Sequence, residues 1–477
     1  MLYSSSMAKI GKQKVLKGKE ILLSAQNSLN KEKNISSDMK NVFSTLIEFT
    51  SILIDHLGVS SSNSSLPPSK DPNRSRKKIV SKSKGKKRKP GGQLGHEGNH
   101  LKLVTTPDEI EKILIKKSSL PDGTYNRTGF EKRQVFDVNV SVHVKEYQAE
   151  IVVDKNGVEF VADFPEGINQ LTQYGSSVKA TSVYLSQSQL IPLNRTREFF
   201  HDQFGLPLSK GSIANFNKSA FDKLEYFEEW VKFHLFISPS INADETGINI
   251  GGTQHWLHCL STPLITLFHP DKNRGAEAME RMGVLPEYDG IVTHDHWKPY
   301  FKFLDCTHSL CNAHHLRELE WAFEHEGQKW AKQMQKLLLE IKVATEKAGG
   351  CLSKKAAIKF RKKYRRLLVR AQKECPLNLK SRAQSKSRNL LDRLIDFENE
   401  TLLFMEDINV SFTNNIAEND QRMTKVQQKI SGCFRSFEGA KIFCRIRSYL
   451  ITCRKNGIGA TEALMLLFEG QLPAFMI

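Results

Sequence analysis

Between Lys70 and Lys102 the chain carries 12 lysines and arginines against two acids, Asp71 and Glu97, a net +10 in 33 residues. The rest of that stretch is mostly Ser, Gly, Pro and Asn. With almost nothing to bury, it cannot offset its own ordering entropy. Any fold must therefore form on either side of it, and the chain reads as folded pieces joined by a flexible tether. The whole chain of 477 residues has a formal net charge of +18, so more than half of the excess sits here. One reading is a solvated run that only aids solubility, but mixed signs would serve that purpose equally well. Neutralisation of a polyanion's phosphates with counterion release is the more economical account. No amphipathic or lipidated anchor accompanies the run, which argues against a membrane surface.

Hydrophobic residues at 39% and charged residues at 26% are ordinary for a globular protein and exclude wholesale disorder. The length predicts more than one domain. The beginning, MLYSSSMAKIGKQK, is polar and basic with no apolar segment behind it, and no apolar run approaches the roughly 18 residues of a membrane span. Export and membrane insertion are not expected. The eight cysteines all lie from Cys259 onward without CxxC pairs, which suits reduced thiols in a cytosol.

The organisation follows from changes in texture. Residues 1–68 are helical, with Met39, Val42, Leu46, Phe49 and Leu53 at heptad spacing; the stripe fits either a helix packed on its own domain or a self-association helix. Residues 69–102 form the basic linker, in which Lys86, Lys87, Arg88 and Lys89 are candidate phosphate contacts. Residues 103–168 show short β-like runs (VFDVNVSVHV, YQAEIVVD, VEFVADF) broken by Asp-Gly, Asn-Gly and Pro, a small β-rich module. Residues 169–236 turn helical, and Ser209 or Ser212 as an N-cap after a Gly-containing turn fits a helix-turn-helix. Such packing occurs with and without DNA; Arg195, Arg197, Lys210 and Lys218 favour DNA.

From residue 237 to 320 three strand-like pieces at hairpin spacing precede a helix, a strand, a helix, a strand and a helix, an α/β pattern with helices on the faces of a sheet. Residues 321–408 read as an insertion of Lys/Arg-rich helices, and 409–477 as a further helix with a helical tail. Two strand ends carry Asp244 and Asp295, and Glu418 arrives on the helix after the insertion, capped by Thr413 or Asn414. Ligands gather at strand C-termini in such sheets. Three crowded carboxylates cannot all stay ionised without a cation, and oxygen ligands select Mg²⁺ or Mn²⁺. Such ions serve in-line phosphoryl displacement with no cysteine or serine nucleophile. Glu245, Asp289, Asp305, Glu406 and Asp407 are rivals, each also readable as a cap or a solvated charge.

Taken together, the heptad-like beginning, the tether ending in KPGGQLGHEGNH, the ADET and THD strands, CNAHHLREL and NNIAENDQR resemble the IS66 family of bacterial insertion-sequence transposases. The resemblance runs from about residue 40 to 470. It implies a DDE enzyme with an RNase H-like core, and places the family's acids on Asp244, Asp295 and Glu418, the last with Asn414, Asn415 and Arg422. The family's C-x-A-H-x-x-R segment matches Cys311, Ala313, His314 and Arg317, which implies that His314 and Arg317 lie near the active site, contacting phosphate or orienting an acid. Its S-x-E-G-A segment resembles Ser436 to Ala440, followed by a helix and Lys455-Asn456-Gly457. Implied with it are Mg²⁺-dependent cleavage at element ends and strand transfer by 3′-hydroxyl attack on target DNA. A homo-oligomer on DNA, companion proteins from the same element and a bacterial cytoplasmic, nucleoid-associated location follow in the same way.

One departure stands out. Many relatives carry a cysteine-ligated zinc finger after the tether, whereas residues 103–168 hold no cysteine and one histidine, His143. No zinc is expected there. Cys306, His308, Cys311, His314 and His315 have ligand-like spacing, yet small buried residues at a strand-to-helix junction explain the cysteines as well. His294 and His296 flank Asp295 and, on a strand, point away from it. Trp256 and Trp297 read as core rather than base-stacking platforms. Arg422, at i+4 from Glu418, fits an ion pair with it or a phosphate contact, and Lys425 and Lys429 extend that side of the helix as a DNA-facing stripe or a solvated face. The alternatives to a transposase are a catalytically silent DNA-binding protein derived from such an element, or a nuclease that cuts without joining.

Overall fold

The computed structural model describes residues 18, 21–32, 35–58, 101–116, 119–126, 129–138, 140–379 and 383–477. The tether residues from 70 to 100, including Lys86, Lys87, Arg88 and Lys89, lie outside the described residues. Two compact units divide the chain: one runs from Arg76 to Ala162, and the other joins residues 1–75 to 163–477. Among the described residues no helix is long and apolar enough to cross a membrane.

In the smaller unit, strands β1 (Ile151–Val153) and β2 (Glu159–Val161) pair antiparallel. Their turn is fastened by the Asp154 carboxylate, which accepts from the Asn156 and Val158 amides, both at 2.8 Å. The alternating run at 135–144 forms no strand among its described residues, and Val135, Val138, Val140, Val142 and Val144 stay exposed. Alternation alone does not make a strand where no partner takes up the backbone hydrogen bonds.

In the larger unit the helix α1 (Ser37–Gly58) carries the heptad positions, and Met39, Val42, Leu46, Phe49 and Leu53 are all exposed. Helices α2 (Ser176–Val183), α3 (Leu193–Phe204), α4 (Lys210–Lys223) and α5 (Glu225–Phe236) follow the small unit. Ser209 caps α4, its Oγ accepting from the Ser212 amide at 2.9 Å, and α3 and α4 enclose a small cluster of Phe200, Leu208 and Ile213. Ala220, Leu224, Phe227, Val231 and Leu235 instead share a core with the sheet residues Ile241, Ala243 and Val292. The helical region is thus built into the sheet's own core.

That sheet has five strands: β3 (Ser240–Ile250), β4 (Thr253–Ser261), β5 (Thr266–Asp271), β6 (Ile291–His294) and β7 (Thr307–Leu310), in the order β5-β4-β3-β6-β7. β5, β4 and β3 are antiparallel; β6 and β7 run parallel to β3. The sequence pattern divides ADET from GINI, but β3 runs through both. The break comes at Gly251 and Gly252, whose φ of +59° and +89° make the tight turn into β4. Helix α6 (Ala276–Met282) connects β5 to β6.

Helix α7 (Asn312–Glu326) leaves β7 directly. Beyond it, α8 (Lys329–Lys347), α9 (Lys354–Glu374), α10 (Lys386–Asp396) and α11 (Glu398–Leu402) form the insertion. It has its own core of Trp330, Leu338, Ile341, Tyr364, Leu391 and Met405. The chain then returns to the sheet through α12 (Asn415–Ser431), α13 (Phe437–Lys455) and α14 (Ala460–Phe468). α13 lies on β5, its Ser448 and Thr452 hydroxyls accepting from the Phe268 and Thr266 amides.

Candidate active site

β3 is the middle strand, and its pairing with β6 sets the site. Asn242 lies opposite Thr293, so extension of the register brings Asp244 alongside Asp295, the first residue past β6. Asp244 is therefore not at a strand end; it lies inside β3 at the point where the parallel neighbour stops. The third acid comes from α12. Asn414 stands at the N-cap position of that helix but does not cap it with its side chain. Its buried amide instead donates to the Ala243 carbonyl at 2.7 Å, pinning the start of α12 to β3 one residue before Asp244. The Asn414 backbone N–H donates to Cys311 Sγ at 3.2 Å, which ties the same point to the β7–α7 junction. Glu418 follows one turn into the helix.

Both of the other acids bear on Asp244. Burial first, and then the charges of Glu245, Glu418 and Asp295, hold the Asp244 carboxyl well above the usual carboxylate range. Glu418 has Oε2 3.9 Å from Arg317 Nη2, while its Oε1 is buried without a partner among the described residues. Asp295 accepts from the Trp297 amide at 2.9 Å and borders a cavity of about 220 Å³ shared with His296, His314 and Arg393. A carboxylate cluster with one unpartnered buried oxygen and one carboxyl pushed strongly toward protonation fits a cation. Cys311, His314 and Glu418 also offer three ligand atoms within 4.8 Å of one another, and His314 Nδ1 is likewise buried without a partner among the described residues. The Cys311 thiol, pushed up to about 11 by burial, is a neutral acceptor at that junction.

The other singled-out residues fall as follows. Arg317, rather than Arg422, is the ion-pair partner of Glu418 among the described residues; Arg422 is exposed on α12, as are Asn415 and Lys429. An i+4 spacing permits a pair but does not oblige it when a cation on α7 is nearer. The Lys425 ammonium donates to the Gly247 carbonyl and so ties α12 to β3. His294 is buried and held neutral, its ring value lowered to about 3, with Nε2 3.0 Å from His308 Nδ1 and its face on Tyr300. His296 packs against Phe397, lowered to about 4. Trp256 and Trp297 flank one guanidinium, that of Arg274, at 4.7 and 3.9 Å from their ring centres.

One rival acid and two residues without a signal in the spacing also stand around the site. Glu245, one of the rivals, is a buried acid held by Arg274 at 2.7 Å and by the Tyr300 hydroxyl at 2.8 Å. Arg393 reaches the cavity from α10 in the insertion and pairs with Glu318 at 2.7 Å. Asp420 points away from Glu418 on α12, about 200° around the helix. There it receives Lys455 at 2.7 Å together with the hydroxyls of Ser261 and Thr266.

Residues 172–442 match the family described as Transposase IS66 family, a span that holds all three acids, the five-stranded sheet and the insertion. No curated protein matches the chain. A match over more than half of the length, carrying the Asn-Asn-x-x-Glu helix and the paired aspartates inside it, assigns the chain to the IS66 family of transposases.

Proposed function

We propose that this transposase is a DDE enzyme with an RNase H-like core, in which Asp244, Asp295 and Glu418 hold the divalent metal that the family implies, Mg²⁺ or Mn²⁺. The observation that carries the reading is the convergence of the three carboxylates from β3, the end of β6 and α12, close enough for Asp295 and Glu418 to raise the Asp244 carboxyl. Bound cations would supply activation of the attacking water or 3′-hydroxyl and neutralisation of the leaving oxygen. The chain's own groups do the rest. Arg317 restrains Glu418, Asn414 fixes the approach of its helix, and His314 with Arg393 lines the cavity beside Asp295, where a phosphate can sit. Arg422 and Lys429, exposed on α12, extend toward the DNA strands. We assign the reaction as cleavage at the element's ends followed by strand transfer into target DNA, carried out in the bacterial cytoplasm at the nucleoid. The exposed heptad stripe of α1 supports self-association on DNA, and companion proteins of the element remain part of this reading.

Strand transfer by the purified chain on element-end DNA tests it. Activity is expected with Mg²⁺, none with EDTA, and a loss of at least about a thousandfold for Asp244→Asn and for Glu418→Gln, the scale on which members of one catalytic unit act. Wild-type activity in either variant would sink the assignment. Cleavage without joining would point to a nuclease, and binding without cleavage to a silent DNA-binding protein.

A further inference from the structure

The insertion presents a surface that the active site does not use. Helix α9 carries ten lysines and arginines and one acid, Glu374, in its 21 residues. Its apolar side, with Ala357, Tyr364, Leu368 and Ala371, is buried in the insertion core. On the opposite side stand Lys355, Lys359, Lys362, Arg366, Arg370 and Lys373, all exposed. At 100° per residue these six fall within an arc of about 80°, a single row about 27 Å long.

The ion pairs of α9 are confined to its flanks. Arg361 binds Glu398 and Glu406, Arg365 binds Glu398, and Lys363 binds Glu340. Among the described residues none of the six central cations has a carboxylate partner, and no acid lies in their arc. A solvated face that served only solubility would mix signs and spread its charge. Here the nearby acids are taken by the flanking cations, and a straight row of positive charge is left open. The apolar side is already in the core, so the helix cannot lie in a membrane.

We infer that this row is a docking surface for the phosphate backbone of duplex DNA, presented by the insertion and built from residues other than those of the carboxylate site and the tether. The inference rests on the transposase assignment only for the identity of the polyanion. Duplex DNA carries one charge per roughly 1.7 Å of axis, so a 27 Å row spans about 16 phosphates, of which about half face it, enough for every cation in the row. Contacts of this kind position DNA without reading its sequence.

The test uses the full chain and a 40-base-pair duplex in EDTA, so that its outcome is independent of catalysis. Lysine acetylation read by mass spectrometry is expected to slow severalfold at Lys355, Lys359, Lys362 and Lys373 when duplex is added, while Lys302, exposed outside the insertion, reacts unchanged. Lys359→Gln, Lys362→Gln, Arg366→Gln and Arg370→Gln combined are expected to lower the slope of log affinity against log salt by up to about 3.6, and to weaken binding at least tenfold near 100 mM salt. Unchanged acetylation of the four lysines on saturating duplex overturns the inference, even where the combined variant fails to fold. So does an unchanged salt slope in a folded variant. Loss of strand transfer in Asp244→Asn with the footprint retained would leave the surface standing and speak only to the active site.

Discussion

At the scale of single residues, the site is a problem of buried charge. Glu245 sits beside Asp244 and Asp295 with its side chain almost wholly buried, and Arg274 is its counter-ion, clamped between two tryptophans. Burial first, then Asp295, holds the Glu245 carboxyl above its ordinary value, against the pull of Tyr300 and Arg274. A carboxyl raised in the folded state contributes stability below its unfolded value and loses it as pH rises through the folded one. Arg274→Ala removes a cation that opposes that rise, so its cost is expected to grow with pH. We expect about 3 kcal/mol at neutral pH, falling as the pH drops and Glu245 takes up its proton. Denaturant midpoints for the two proteins, followed from neutral pH down to the lowest pH at which both stay folded, measure this; a gap that stays constant over the whole range would show that Arg274 acts through packing alone.

At the scale of elements, α12 is the part of the site placed from furthest along the chain, because the chain must cross the whole insertion before it brings Glu418 back to β3. Beside the Lys425 tie to β3, two further devices hold it. Asn414 grips its start, and Lys455 grips its back, facing Ser261 Oγ, the Thr262 carbonyl, Thr266 Oγ1 and Asp420 Oδ2 at 2.7 to 2.8 Å. Both members of the Lys455–Asp420 pair are largely buried. Lys455→Met is therefore expected to cost about 3 kcal/mol by leaving the Asp420 carboxylate unpaired, and the double variant with Asp420→Asn to recover most of it. Chemical denaturation of the four proteins closes the cycle; no recovery in the double variant would mean that the ammonium contributes through its bonds to Ser261, Thr262 and Thr266 rather than by pairing with the carboxylate.

At the scale of the whole molecule, positive charge and negative charge occupy different places. The tether from Lys70 to Lys102 holds a net +10, α9 holds +9, and the acids of the site lie in β3, just past β6 and on α12. Replacing Lys86, Lys87, Arg88 and Lys89 with Gln is expected to lower the salt slope of binding by up to about 3.6, equally for element-end and unrelated duplexes. A loss confined to element ends would instead make the tether a reader of sequence.

What the sequence determined by itself is what local rules control. Strand and helix periods, the Ser209 cap and the helical run after residue 320 are legible because each depends on neighbours a few residues away. The alternation at 135–144 misled for the same reason, since a strand also needs a partner that the pattern does not specify. Only the tertiary structure decided which strand lies beside β3. That choice turned Asp244 from a strand end into an interior residue next to Asp295, and gave Glu418 to Arg317 instead of Arg422. It also recruited Arg393 from the insertion and Lys455 from the far end of α13. These are contacts between residues tens to more than a hundred positions apart, and their energies belong to burial and charge in a shared low-dielectric site, which no spacing along the chain records.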